Sequence, residues 1–581
     1  MRPVLKVGRA ASEDLDVRSG DETGATVGQV GTGEPSAPPP ARAATLDAPA
    51  PAAPTRRGAL TTVLGAVAAA VGSGTAAAAA TGAVAPAALP AAVAGRAERR
   101  ALAQVRADTP FPTDRASALH LVQRTTWGAT PQLLAEVLAR GPEAWLEEQL
   151  APGGVDDSFV EGVARRYRWY GWSIPRVRQE VPSGDWELLW DLGSLTFARY
   201  VWGRRQLHEV MADFWSNHLN VTNPSSDVWD NRHDYDTTVV RRYALGSFAD
   251  MLKASARHPA MLRYLDNASS RKGQPNENYA RELMELHTLG VSAGYTELDV
   301  RAAARLLTGL TVDDASGLYR YDASRHDTGA ATVLGFAVPA HSASAGEGHA
   351  LSLLDWLARH PTTARHLALK LCVRFVSDDP PAALVERVAE EYLRAGTDVV
   401  PALRLLFRSP EFWASAGAKT RRPLEGYVAA LRLLGVGPDA SGTVGLSHLS
   451  WLSREMGHQP LAWAAPNGYP DVAVAWQSAS ATLYRWNRVI LAAGGWWPNM
   501  LTFRPLRQLL PAQLPATYGG LFDELGRSLL LRPLVGRERT ALLGFCGKTE
   551  SSPLRATDEW LGWRLHHLVA TVLDAPAHMV R

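Results

Sequence analysis

From Asp114 to the end of the chain, apolar residues recur at three- and four-residue steps, and this period constrains the fold more than any other feature of the sequence. The longest run occupies Leu189 to Val221, and similar runs fill 241–253, 298–310, 363–376, 383–394, 401–407 and 424–434. Turn chemistry punctuates them at Gly128 to Pro131, Pro275-Asn276, Asp379-Pro380-Pro381 and Arg422-Pro423. Strand-like alternation is confined to Leu318–Tyr321 and Thr332–Leu334, which flank Arg325-His326-Asp327-Thr328-Gly329 and read as a short hairpin or extended loop. No internal repeat of roughly 20 to 50 residues is present, which removes a solenoid. The expected fold is mainly α: a single large helical domain over 114–581 with short β-hairpin or loop insertions.

The segment before Asp114 has a different character. Residues 1–54 mix scattered charges with Gly, Ala and Pro, too little apolar surface to offset chain entropy, and read as a disordered extension. Thr55-Arg56-Arg57 then precedes an uncharged stretch from Gly58 to Gly95. Paired arginines, a mildly apolar segment and small residues suited to a signal peptidase make 55–95 a twin-arginine export signal, with 96–113 as linker. An uncleaved anchor is the alternative, since Ala59 to Ala85 is long enough to span a bilayer, and an Ala-rich linker is the plainest reading. Cleavage would leave no stable membrane span. On this reading the protein is exported, to the cell envelope or beyond, and the twin-arginine machinery is its partner.

Composition narrows the functional classes. The 60 Lys+Arg and 58 Asp+Glu nearly cancel, so charge gives no case for nucleic acid. Only six of the basic residues are lysine: Lys6, Lys253, Lys272, Lys370, Lys419 and Lys548. Two cysteines, Cys372 and Cys546, exclude a disulfide scaffold or a cysteine-only metal site and are expected as buried free thiols. Absent too are a Gly-x-Ser-x-Gly elbow with ordered partners, a phosphate-binding glycine loop with Lys, His-Glu-x-x-His and a haem attachment sequence. Trp215, Trp476 and Trp486 read as core aromatics.

Seven ordered motifs carry a family resemblance. They are His120 to Pro131, Met211 to Val221, Asn276 to Gly290, Arg325 to Gly329, His360 to Phe375, Lys419 to Glu425 and Pro466 to Asp471. Together they resemble the bacterial family catalogued as domain of unknown function 1800, over about 115 to 580. The resemblance implies an exported, largely helical protein and carries over no reaction.

The motif around 276–290 holds the first candidate groups. At about 100° per residue, Asn278, Arg281, Glu282 and Glu285 fall within an arc of about 100°, whereas His287 lies about 180° from Asn278. Two carboxylates at i,i+3 suit half a metal site or an acid/base pair; the plainer reading is a solvated face with an Arg281–Glu285 ion pair. On the preceding helix His218 borders the apolar stripe, where an imidazole is a ligand, a proton carrier or a satisfied hydrogen-bonder, and Asp213 and Asn217 stand where they could support it. His326 and Asp327 sit on a loop, as metal ligands, as base and orienter, or as an ordinary turn.

Two functions remain open. One is an exported enzyme with a polar, metal-binding pocket of His218, Glu282 and Glu285, closed by His326 and Asp327 from a loop, with a ligand chemistry that suits Zn, Mn or Fe. The other is a non-catalytic cell-envelope or surface-assembly protein in which the same residues tie helices together.

Overall fold

The computed structural model describes residues 111–581; the expected extension and twin-arginine signal and most of the expected linker fall on residues 1–110, outside the described residues. The described chain is mainly helical with two small antiparallel hairpins. Among the described residues no helix is long and apolar enough to cross a membrane.

Helices α1 (Glu187–Trp202) and α2 (Gln206–His218) replace the continuous run expected from Leu189 to Val221. The break falls at Gly203, where a Cβ would lie 2.6 Å from the Arg199 carbonyl oxygen, too close for any side chain. The backbone groups freed by the break are satisfied locally: Gln206 Nε2 donates to the Gly203 carbonyl at 2.7 Å, and the Arg204 amide donates to Asp157 Oδ1 at 2.6 Å. Helix α3 (Phe248–Ala256) follows, its N-terminus capped by Ser247.

Helix α4 (Glu277–Glu282) runs directly into a π-helical turn at Leu283–His287. The wider turn leaves a carbonyl without its usual partner, and Thr288 Oγ1 donates to the Leu283 oxygen at 2.7 Å. Helix α5 (Glu297–Leu306) begins with a reciprocal cap between Thr296 and Asp299 and packs against α4.

The two hairpins differ from the single one expected. Strand β1 (Leu310–Val312) pairs with β2 (Tyr319–Tyr321), placing Leu310 opposite Tyr321, and β3 (Ala331–Val333) pairs with β4 (Phe336–Val338), placing Val333 opposite Phe336. Turn chemistry decides this pairing. Leu334 and Gly335 both adopt positive φ, 47° and 89°, as a two-residue turn requires, so the third strand folds onto the fourth rather than back onto the second.

Helices α6 (Gly346–Ala358), α7 (Pro361–Phe375) and α8 (Ala382–Arg394) follow in sequence, and α7 packs along α8. The stripe Leu384, Val385, Val388, Ala389 and Tyr392 buries one face of α8. Pro361 opens α7 in the position where a missing N–H costs nothing, while the His360 side chain accepts from the Thr362 amide. Further on, α9 (Pro423–Leu434) packs on α11 (Ala479–Ala493), α10 (Val444–Glu455) on α1, and α12 (Leu565–Asp574) on α11. One apolar cluster runs from Phe111 to Ala577. Trp215 lies inside it, Trp476 is half-buried, and Trp486, expected in the core, is 44% exposed. Both cysteines are buried and unpaired.

Candidate functional site

Two elements distant in sequence meet at the π-helical turn. His218 ends α2 and is buried, and α7 brings His366 and Lys370, one helical turn apart on the same face, against it. His218 Nε2 lies 2.9 Å from the His287 carbonyl oxygen. A carbonyl only accepts, so Nε2 carries the proton and Nδ1 holds the lone pair. Lys370 Nζ donates to that Nδ1 at 2.9 Å. The His366 ring bonds the Leu286 carbonyl, and Gly290, at φ 87°, lets the turn approach it; a Cβ there would sit 3.1 Å from His366 Nδ1.

The group is basic throughout. Burial, then the Lys370 charge and the neighbouring rings, hold His218 well below the usual histidine range. Burial and then the Lys370 charge lower His287 to about 3 and His366 to about 4, the His366 ring adding to the effect on His287. Burial lowers the half-buried Lys370 amine to about 8, with Asp471 pulling the other way. Both His287 ring nitrogens and His366 Nε2 are buried without a hydrogen-bond partner in the protein. The arrangement therefore offers a partly neutral amine, three neutral imidazoles and free ring nitrogens at one place.

The carboxylates expected beside His218 belong to a different group. Glu282 is 8% exposed, and burial together with the Glu285 carboxylate pushes its carboxyl up to about 7 against the pull of Arg281. Glu285 is 3.9 Å from Arg281 and hydrogen-bonded by Tyr295, while the shortest Arg281 contact is 2.7 Å, to Glu297 of α5. The expected face of Arg281, Glu282 and Glu285 is thus real, but the metal-binding trio with His218 is not assembled. His218 has both ring nitrogens engaged, and among the described residues no group of three or more His, Cys, Asp or Glu is placed to hold a metal ion. Asp327 takes the Arg305 guanidinium at 2.9 Å and the Gly329 amide at 3.0 Å, the bonds of a turn, and His326 faces His341 instead of this pocket.

The other motif residues converge on a lattice of ions that periodicity could not reveal. Asp213, placed near His218 by the sequence, instead accepts from Arg422 Nη2 at 2.7 Å, and Asn217 donates to the Asp213 carbonyl and accepts from the Tyr469 amide. Glu425 takes Arg422 at 3.0 Å, Arg581 at 3.3 Å and Arg374 closer still. Arg374 also reaches Asp471 at 3.5 Å, and the buried Lys419 reaches Asp471 at 3.4 Å and Asp378 at 2.6 Å. The surrounding guanidinium groups hold the Glu425 carboxyl well below the usual range despite its burial. Four of the seven motifs and the C-terminal residue are joined here.

A family model described as protein of unknown function (DUF1800) matches residues 120–580, so the chain belongs to that family. No curated protein and no solved structure matches it.

Proposed function

We propose that this DUF1800 protein is an exported enzyme whose working group is the Lys370 amine held on His218. The observation that carries the reading is the 2.9 Å bond from Lys370 Nζ to the lone pair of His218 Nδ1, in a cluster without a carboxylate contact. A lysine amine desolvated by its surroundings, with no carboxylate in contact, gives up its proton near neutral pH and becomes a general base or nucleophile. His218 orients the amine, and the free nitrogens of His287 and His366 supply polar contacts to a ligand. The π-helical turn supports the reading, since such turns cluster at functional sites. Export rests on Arg56-Arg57 and the uncharged stretch after them.

A second reading has its own support. The lattice around Glu425 favours a structural role for Asp213, Arg374, Lys419, Arg422 and Asp471, as a non-catalytic envelope or surface-assembly protein would require. The two divide the motifs between them, and Lys370 discriminates. Acylation of the full chain at pH 7.5 with an amine-selective reagent, read by site-resolved mass spectrometry, should modify Lys370 ahead of the exposed Lys272. Slower modification at Lys370 than at Lys272 would leave only the structural reading.

A further inference from the structure

A second histidine cluster lies away from Lys370, beside the hairpins. His326 Nδ1 is 2.8 Å from the Thr308 carbonyl oxygen, and His341 Nδ1 is 2.9 Å from the Pro339 carbonyl oxygen. Carbonyls only accept, so each Nδ1 carries a proton and each neutral ring presents its lone pair at Nε2. Those two Nε2 atoms face each other at 2.9 Å. Two lone pairs at that distance repel unless a cation lies between them.

The local chain is built to hold this approach. Gly309, at φ 84°, passes so near the His326 Cβ that a side chain there would lie 3.3 Å from it, and a Cβ on Gly346 would fall 2.2 Å from His326 Cδ2. His326 is 1% exposed, while His341 is half-buried, so the pair has one wall in the core and one toward solvent. The nearby carboxylates are committed elsewhere: Asp327 to Arg305 and Glu347 to the Tyr319 hydroxyl at 2.8 Å.

We propose that His326 and His341 form a two-imidazole site for a borderline divalent metal ion of the zinc class, with water completing its coordination. Ring N–H groups donated to backbone carbonyls, fixing the tautomer and aiming the opposite nitrogen, are the usual support of metal-ligating histidines. Zn–N bonds of about 2.0–2.1 Å place two ligand nitrogens about 2.9 Å apart at a right angle and about 3.3 Å apart at the tetrahedral angle, so the pair needs to open by a few tenths of an ångström at most. The site differs from the expected His218, Glu282 and Glu285 trio in position and ligands, and it does not depend on the Lys370 reading.

Titration of the chelator-treated, desalted full chain with zinc sulfate at pH 7.5 by calorimetry tests it. The protein should bind one equivalent that His341→Gln loses or weakens at least tenfold and that His567→Gln keeps. Equal stoichiometry and affinity in wild type and His341→Gln would overturn the site and leave a shared proton between the rings. Should His341→Gln fail to fold, cupric ion bound to the His567→Gln protein gives the answer by electron paramagnetic resonance: coupling to two imidazole nitrogens supports the site, and coordination by oxygen alone or one nitrogen overturns it.

Discussion

Glu282 and His287, five positions apart across a π-helical turn, belong to two separate charged groups: Glu282 to Glu285 and Arg281, and His287 to Lys370 and His366. The turn thus carries an elevated carboxyl in one group and depressed imidazoles in the other. Burial is the first cause of both shifts, because it disfavours whichever form is charged.

Glu282 gives a pH-dependent prediction. Its folded carboxyl titrates at about 7, above the ordinary value of 4.5, so the folded state holds its proton more tightly and stability falls as pH rises between those values. Glu282→Gln should raise stability by about 1–3 kcal/mol above pH 7, and the gain should vanish below pH 4.5. Denaturant unfolding at several pH values measures it; a gain independent of pH would contradict the assignment.

The ion lattice predicts the opposite sign. Glu425→Gln leaves Arg374, Arg422 and Arg581 without their shared carboxylate and should destabilise by about 3–5 kcal/mol. Glu386→Gln, which removes an exposed partner of Arg365, should cost about 0–1 kcal/mol. Similar losses in urea unfolding of the two variants would refute the distinction.

The two thiols should behave as buried groups. Burial pushes Cys372 up to about 12 and Cys546 up to about 11, so neither reacts readily in the folded protein. Intact mass after alkylation without reductant should show two labels once the chain is denatured and fewer before. No label after denaturation would mean a disulfide.

Export is tested at Arg56 and Arg57. Changing both to Lys should retain the protein in the cytoplasm, since the twin-arginine machinery reads that pair. Fractionation showing wild-type export of the variant would remove the assignment.

The sequence made legible whatever depends on neighbours three or four positions away. The shared face of Arg281, Glu282 and Glu285, the opposite placement of His287 and the burial of His218 all follow from helical period. Contacts between distant elements do not. Lys370 lies 152 residues from His218, and the partner that draws Asp213 away, Arg422, lies 209 residues from it. Local chemistry outside the period also escaped: one glycine splits the long run at Gly203, and the Leu334-Gly335 turn sets which strands pair. The scarcity of lysine was the one signal that could have singled out Lys370, alone among the six in lying one turn from a histidine within a motif.

The pH dependence of Lys370 acylation tests the central claim most directly. With an amine near 8, about a quarter of Lys370 is neutral at pH 7.5, against about 0.1% for an ordinary lysine. Site-resolved rates across pH should show a midpoint near 8 for Lys370. A Lys370 midpoint above 10 would mean an ordinary ammonium beside His218 and would contradict the proposed role.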